Sequence, residues 1–284
     1  MTGAIVGAAM FEPHGKSLQV PIFSEETGET LLNYDARMCL RETEIIRETC
    51  PGFPGISTYK HWSDYENFVY NCLNYSSPLF KEVPFKNMEA TINQYRNGID
   101  LPESLKEKFE EAMKIYTDVT NFIIGAGTRP NDRLNKIKFG NLLKAFQGHM
   151  KNAWNCHKKV QPCENPKLKF VAYSSQDWLL AGLLQIFGAL DAALGVTVMP
   201  EYNSMVSKCS RKRSEVIKEQ TELIDVTKSV KNCPKDQDYC PLTNFLSCCD
   251  NYLEKVPGES CRPLSNLTTK SSFPWGPRRY AGFD

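Results

Sequence analysis

A polar turn between two apolar stretches is the part of the sequence best suited to hold reactive side chains. Within Lys167 to Leu194, the apolar run from Leu168 to Tyr173 predicts a strand, and the apolar spacing after Asp177 predicts a helix. In an open α/β sheet, ligands lie at the carboxyl ends of the strands, so Gln176 and Asp177 are predicted to face a site. A second interpretation is that Asp177 only caps the helix, and the pattern alone leaves both open.

Aromatic side chains recur along one face of a predicted helix from His61 to Cys72. Trp62, Tyr65 and Phe68 follow one another at intervals of three residues, which places them on one side of that helix. Packing in a core is the ordinary role of such a stripe, and binding of a ligand is the alternative.

Candidate metal ligands form no recognisable pattern. His149 and His157 lie eight residues apart, close to Cys156, and surface histidines explain them better than a metal site does. The cysteines make no pair of C-x-x-C knuckles of the kind that a zinc ribbon needs. We therefore expect no metal and no cofactor.

Two further amphipathic helices are predicted in the middle of the chain. The first starts at Leu101-Pro102, where proline suits the first turn, and its apolar residues repeat every three or four positions until Gly125. The second carries the apolar residues Ile137, Leu142, Leu143, Phe146 and Met150. Near the start of the sequence Leu18 to Phe23 predicts another strand, whereas Val216 to Val226 fits either a helix or a strand.

Length and charge exclude several classes of protein. The 284 residues, 41% of them apolar and 24% charged, suffice for one large domain or two smaller ones. A net charge of +1 provides no global field for nucleic acid or an anionic membrane, so small or neutral partners fit better. The longest apolar stretch, Trp178 to Val196, is interrupted by Gln185 and Asp191, which predicts a buried core helix and not a membrane span.

The eleven cysteines indicate an oxidising compartment. Met1-Thr2-Gly3 lacks the basic start of a signal peptide, so the sequence suits a cytosolic protein or a mature secreted one, and the cysteines favour secretion. Two sequons, Asn74-Tyr75-Ser76 and Asn266-Leu267-Thr268, agree with this. An odd count leaves at least one thiol free or paired with another molecule.

Several motifs resemble those of the histidine acid phosphatases. Tyr173 to Asp177 with Gly182-Leu183 is similar to the Y-S-A-H-D segment and the following G-L of that family. Further matches follow in chain order: Leu31-Leu32 with Arg37-Met38-Cys39, Trp62-Ser63 with Tyr70-Asn71-Cys72, Leu101-Pro102, Phe139-Gly140 with His149-Met150-Lys151, and Cys240-Pro241-Leu242 with Phe245. The resemblance implies an α/β fold, a truncated mixed sheet with flanking helices formed by residues 1–40 and 166–284. It also implies an inserted, mostly helical domain at residues 41–165.

The departures from the family pattern affect its chemistry. The chemistry of the family resembles a phosphohistidine relay, in which the histidine of an R-H-G motif attacks phosphorus. Arginines hold the phosphoryl oxygens, and a His-Asp pair serves the leaving group. This sequence contains no R-H-G, and Gln176 stands where the family has the histidine of the pair. Because loss of a covalent nucleophile removes the mechanism itself, the resemblance predicts a protein that is not an enzyme by this route.

A crevice is nevertheless expected to survive. The matched positions predict that its wall is formed by Tyr34, Arg37, Trp62, Tyr65, Tyr173, Gln176 and Asp177. A carboxylate beside a tryptophan suits a protonated amine, through a charge-assisted hydrogen bond and cation–π attraction. Arg37 could instead receive a fatty-acid carboxylate.

Within the family, the chain is similar to truncated, inactive acid-phosphatase-like proteins in the saliva of blood-feeding insects, fleas in particular. That resemblance implies binding of biogenic amines such as serotonin, and of leukotrienes. Two alternatives stay open: a degenerate acid phosphatase that uses Asp177 or a new nucleophile, and a protein-binding module that uses the basic segment from Lys208 to Arg213.

The resemblance also implies two disulfides, Cys39 with Cys261 and Cys233 with Cys240. The usual partner of the cysteine matched by Cys72 corresponds to Met205, so Cys72 must pair elsewhere or remain free. Local spacing predicts a third disulfide, between Cys156 and Cys163.

Overall fold

The described part of the chain is built from helices. The computed structural model describes residues 7, 22–25, 31–32, 34–168, 170–195, 199–201, 204–206, 224–255 and 258–263. Ten α-helices lie within these ranges: α1 Leu40–Thr49, α2 Trp62–Cys72, α3 Leu79–Glu82, α4 Met88–Arg96, α5 Glu103–Lys106, α6 Phe109–Ile124, α7 Asp132–Lys158, α8 Asp177–Phe187, α9 Leu190–Leu194 and α10 Leu242–Ser247. Short 3₁₀ helices lie at Ala36–Met38, Ile56–Thr58, Phe85–Asn87, Thr227–Ser229, Asp250–Tyr252 and Glu259–Cys261.

The predicted α/β sheet is wrong, because the described residues contain no strand. The segment before α8 is irregular, and Leu168, Phe170 and Val171 remain 38%, 49% and 39% exposed. A strand is stable only beside a neighbour that pairs with its backbone, and a parallel strand is buried on both faces. No strand lies beside this run among the described residues, and the run is irregular although its composition fits a strand.

The other predicted strand, Leu18 to Phe23, lies mostly outside the described residues. Its last two residues, Ile22 and Phe23, are irregular and 57% and 91% exposed. The segments 208–213 and 216–223 are likewise outside the described residues. The division into residues 1–40 with 166–284 and residues 41–165 stays a prediction.

The helices predicted from apolar spacing are confirmed, but two of them are each divided into two elements. The helix expected from Pro102 to Gly125 is two elements, the short α5 and the long α6. The first turn of helix α6 contains Glu110 and Glu111, whose negative charges suit a helix N-terminus. The helix is terminated by Gly125, whose φ of 76° is the left-handed conformation common at a helix C-terminus. Helix α7 is capped by Asn131, whose side-chain oxygen accepts hydrogen bonds from the backbone N–H groups of Arg133 and Leu134.

Helix α6 occupies the middle of the helical assembly and positions the others. It packs against α2 on one side and against α8 on another, and α7 also contacts it. Helix α7 joins two parts of the core: Leu134 and Ile137 pack in the cluster that contains Tyr65 of α2, whereas Phe139 and Leu142 pack in the cluster that contains Leu179 of α8. Helices α2 and α8, which are far apart in sequence, are thereby both packed against α6.

The crossing of α7 and α8 depends on a glycine. A Cβ atom at Gly182 would lie 2.0–2.4 Å from the ring of Phe139, which is fully buried and close to Trp178. We expect Gly182→Ala to lower the free energy of unfolding by about 1–3 kcal/mol, because the ring has no space into which to move. Urea unfolding of the purified protein measures this difference.

The matched control is Gly148→Ala on the exposed face of α7, where no atom lies within 4 Å of the added Cβ. There alanine should stabilise by roughly 0.5–1 kcal/mol, because glycine is a poor helix former. Equal stability changes in the two variants would contradict the tight crossing.

Ten cysteines form five disulfides in the described residues. They are Cys39–Cys261, Cys50–Cys72, Cys156–Cys163, Cys233–Cys240 and Cys248–Cys249. The first, third and fourth are the expected pairs, and the partner of Cys72, left open by the sequence, is Cys50 at the end of α1. The eleventh cysteine, Cys209, lies outside the described residues. Such pairing is typical of an oxidising compartment.

The apolar stretch that begins at Trp178 forms two helices, α8 and α9, separated by Gly188. None of the described helices combines the length and the apolar character needed to cross a membrane.

Candidate functional site

A buried carboxyl group on α2 is the most unusual feature near the predicted site residues. Glu66 is only 3% exposed, and the buried residues next to it on the helix include aromatic side chains. Its Oε1 atom is buried and has no hydrogen-bond partner among the described residues. A buried oxygen without a partner costs free energy, which marks the position as one where a ligand could supply the missing donor.

Burial raises the pKa of Glu66 to about 7, because the low-dielectric surroundings disfavour the charged form. The negative charges of Glu89 on α4 and Asp177 on α8 raise the pKa further. Hydrogen bonding from Trp62 and Tyr116 partly offsets these effects, without satisfying Oε1. The group therefore changes its charge close to neutral pH.

Three carboxyl groups are gathered here from separate elements, and we call Glu66, Glu89 and Asp177 the acidic cluster. The charges of all three also raise the pKa of the Tyr116 hydroxyl on α6, after the larger effect of burial. None of the ion pairs between described side chains involves a member of the cluster. The arrangement concentrates negative potential and would attract a cation.

Trp62 supplies an aromatic surface beside the acidic cluster. It lies four residues before Glu66, hence on the same face of α2, and it is 46% exposed. Its ring meets that of Tyr65 edge-on at 5.1 Å, and Tyr65 in turn stacks on Phe53 at 5.4 Å. The buried rings hold Trp62 in place and leave part of its indole accessible.

Asp177 and Gln176 stand at the start of α8. Gln176 is the N-cap residue and Asp177 the first residue of the helix; both are exposed. One oxygen of Asp177, Oδ1, accepts a hydrogen bond from the backbone N–H of Trp178 at 2.8 Å. The interpretation of Asp177 as the N-cap is therefore wrong, because Gln176 holds that position and no side chain caps the helix. The Asp177 charge acts on Glu66, and its role in a site stays a prediction.

Tyr34 belongs to a buried polar network next to Tyr65. Its hydroxyl donates to Glu42 Oε2 at 2.6 Å, and Lys138 Nζ lies 4.5 Å from its ring centroid. Lys138 donates to the other oxygen of Glu42, also at 2.6 Å. Burial together with the Glu42 charge raises the pKa of Tyr34 far above its ordinary value. The hydroxyl therefore stays protonated and keeps its hydrogen bond to Glu42.

Two predicted site residues lie apart from the acidic cluster. Arg37 is exposed and forms a two-pronged ion pair with Asp35, 2.8 Å at its closest. Tyr173 packs against α7, with its ring centroid 6.1 Å from those of Phe146 and His149. The structure therefore brings together Trp62, Tyr65 and Asp177, with Tyr34 adjoining, and places Arg37 and Tyr173 elsewhere.

Sequence reasoning missed Glu66, Glu89 and Tyr116. A signal for Glu66 was available, since a carboxylate four residues after Trp62 falls on the aromatic face of the helix. No local pattern could have indicated Glu89 or Tyr116, because they reach the cluster only through the packing of α4 and α6. Among the described residues, no group of three or more His, Cys, Asp or Glu side chains is arranged to hold a metal ion.

Comparison with known proteins relates the chain to acid phosphatases. It is 25% identical over 202 residues to "Putative acid phosphatase 1" of Caenorhabditis elegans, an alignment that covers 66% of this chain and 47% of that protein. The protein of the same name from Caenorhabditis briggsae is 25% identical over 190 residues, which cover 62% of this chain and 44% of the relative.

The chain spans less than half the length of these curated relatives. No family model matches the sequence, and no solved structure gives a significant match. The chain is therefore similar to acid phosphatases over about two thirds of its length, at a low level of identity.

Proposed function

We propose that this chain is a secreted, acid-phosphatase-like protein that binds small protonated amines at the acidic cluster and does not hydrolyse phosphate esters. The observation that carries the proposal is the buried Oε1 of Glu66, which has no hydrogen-bond donor among the described residues. The half-exposed Trp62 lies on the same face of α2, and the charges of Glu89 and Asp177 act on Glu66. The five disulfides support an extracellular location.

An ammonium group satisfies each element of the cluster. It would donate to Glu66 Oε1 and be attracted by Glu89 and Asp177, which stand without described ion pairs. An ammonium over the Trp62 face adds about 2 kcal/mol when it is desolvated. An aromatic amine such as serotonin would also place its ring against Trp62, in the way that aromatic pairs stabilise each other.

The same charges disfavour an anionic ligand. A lipid carboxylate, as in a leukotriene, would meet three like charges at the acidic cluster. Arg37, the group predicted to receive it, is paired with Asp35. Leukotriene binding stays a prediction of the resemblance alone.

One feature supports the absence of phosphatase chemistry. Gln176 occupies the position at which the resemblance expects a histidine. Asp177 uses one oxygen to hold the start of α8. Hydrolysis of an aryl phosphate at acid pH, lost in Asp177→Ala, would overturn this part of the proposal.

Calorimetric titration with serotonin and noradrenaline tests amine binding directly. We expect both to bind, and 5-hydroxyindole-3-acetate, which carries a carboxylate in place of the amine, not to bind. Since the amine needs ionised Glu66, whose pKa is about 7 in the free protein, binding should release a proton near neutral pH. Affinity should therefore fall by roughly tenfold for each pH unit below 7, and titrations in buffers of different ionisation enthalpy measure the released proton.

Variants separate the site from general effects of charge. Glu66→Gln keeps the side-chain shape and should abolish binding, and Asp177→Asn should weaken it. Glu107→Gln removes an exposed carboxylate between α5 and α6 and should leave binding unchanged. Absence of heat with every amine, from folded wild-type protein at pH 8, would refute the proposal.

A further inference from the structure

A sequon lies fully within the described residues, immediately after α2. Asn74, Tyr75 and Ser76 follow the helix end, and Asn74 is exposed. Its φ of 63° is in the left-handed region, which asparagine tolerates in turns. Its backbone N–H donates to the Asn71 carbonyl at 3.1 Å, and no described residue is bonded to its side-chain amide. The side-chain nitrogen of Asn74 therefore has no structural hydrogen bond among the described residues.

The neighbourhood of the sequon is that of a protein folded in the secretory pathway. The Cys50–Cys72 disulfide anchors the chain two residues before Asn74. Four more disulfides are formed in the described residues. Chains that acquire such disulfides pass through the compartment in which asparagine-linked sugars are attached.

A cavity of about 370 Å³ opens beside the sequon. It is lined by Asn67, Tyr70, Asn71, Tyr75, Ser77, Phe80, Lys81, Pro84 and Phe85. Two of these, Asn71 and Tyr75, are close neighbours of Asn74 in sequence, so the first sugar of a glycan on Asn74 would emerge at the edge of the cavity.

The aromatic lining is held rigidly. The Tyr70 ring stacks on Tyr75 at 6.0 Å and on Phe85 at 4.8 Å. The Tyr75 hydroxyl donates to Asp118, and the Tyr70 hydroxyl accepts from the backbone N–H of Ser77 at 3.2 Å. The partly exposed rings of Tyr75 and Phe80, with the amide groups of Asn67 and Asn71 nearby, suit a sugar. Its ring C–H groups pack on aromatic rings, while its hydroxyl and acetamide groups form hydrogen bonds.

We propose that Asn74 carries an N-linked glycan and that its first N-acetylhexosamine covers this aromatic cavity. The donor is an oligosaccharide joined through diphosphate to a lipid. The Asn74 side-chain nitrogen forms a bond to C1 of the sugar, the bond between C1 and the diphosphate oxygen breaks, and the amide proton leaves with the lipid diphosphate. The proposal is independent of amine binding, because the cavity residues do not include the acidic cluster.

Expression of the full chain in the secretory pathway of insect cells tests the modification. Mass spectrometry of the tryptic peptide should show a hexosamine-containing glycan on Asn74. Both Asn74→Gln and Ser76→Ala should lose it, and Ser76→Thr should keep it, because the hydroxyl two residues on is part of the acceptor signal. The Ser76→Ala variant retains the native asparagine, so it gives a result even if Asn74→Gln fails to fold. Unmodified Asn74 in folded, disulfide-bonded protein would overturn the proposal.

The placement of the sugar needs a second measurement. Endoglycosidase treatment leaves a single N-acetylhexosamine on Asn74, and an amidase removes the glycan entirely. Anilinonaphthalene sulfonate, a dye that fluoresces on apolar surfaces, should bind several-fold more tightly to the fully deglycosylated protein than to the trimmed one. Equal dye binding by the two forms would show that the sugar leaves the cavity open.

Discussion

Replacing Glu66 with glutamine should stabilise the protein at pH 8 and have little effect at pH 4.5. The pKa of Glu66 is raised from its ordinary value of 4.5 to about 7 by burial, so the folded state holds its proton over a pH range in which the unfolded state has lost it. Each pKa unit corresponds to about 1.4 kcal/mol, and the full difference is on the order of 3 kcal/mol.

The direction follows from proton linkage. Between pH 4.5 and 7 the folded protein binds more protons than the unfolded chain, so stability falls as the pH rises through this window. Above pH 7 the group is ionised in both states, and the wild-type protein bears the whole cost of a buried, unpaired charge. Glutamine has the same shape and no charge, so the advantage of the variant grows from pH 4.5 to 7 and is then constant.

Thermal and urea unfolding at pH 4.5, 6 and 8 measure this advantage. Glu107→Gln, at an exposed position, is the control and should show no such pH dependence. A stabilising substitution that also abolishes amine binding would identify Glu66 as a residue kept for function at a cost in stability. Destabilisation of Glu66→Gln at pH 8 would contradict the structure of the site.

Lys138→Met should destabilise the protein by about 3–5 kcal/mol, since it leaves Glu42 as a buried charge without its cation. The two side chains are each 2% exposed and lie 2.6 Å apart, and they join α7 to α1. The remaining hydrogen bond of Glu42, from the Tyr34 hydroxyl, cannot neutralise the charge. Denaturant unfolding with an unchanged m-value would assign the loss to the folded state.

The double variant Glu42→Gln/Lys138→Met should recover much of the loss, because glutamine can still accept from Tyr34 and carries no charge. The matched control is Arg133→Met, which breaks an ion pair with Glu48 whose side chains are 49% and 50% exposed. Loss of that surface pair should cost less than about 1 kcal/mol. Similar decreases in the free energy of unfolding for Lys138→Met and Arg133→Met would show that burial does not increase the contribution of the Glu42–Lys138 pair to stability.

Helices with strong local signals could be predicted from the sequence. The repeat of apolar residues up to Gly125, the capping Asn131 and the apolar run after Asp177 specify α6, α7 and α8, because helical hydrogen bonds join residues four apart and caps act within one turn. The split between α5 and α6 was not predicted, since the same apolar spacing continues across both.

The strand predicted at Leu168 to Tyr173 is wrong, because the stability of a strand depends on distant contacts and not on local ones. A strand is stabilised by partners from elsewhere in the chain, and a short apolar run is equally consistent with an irregular connection. The expected sheet came from family resemblance and not from any observed pairing, and the described residues show helices around this segment instead.

The site was predicted in part. Trp62, Tyr65 and Asp177 were selected from the sequence and lie in or beside the cluster, whereas Arg37 and Tyr173 point to other partners. Glu66 was missed because its spacing from Trp62 shows only which helix face it shares, whereas its burial depends on the packing of α6 and other elements against α2.

The sequence by itself determined the local features of this protein: where its long helices lie, its abundance of cysteine, its near-neutral charge and its similarity to acid phosphatases. Only the tertiary structure decided that Glu66 is buried, that Asp177 lies near it across 111 positions of sequence, and that Cys50 pairs with Cys72. The physical reason is range. Helix propensity and capping act within a few residues, whereas burial, electrostatic coupling and cross-linking depend on which elements the fold brings into contact.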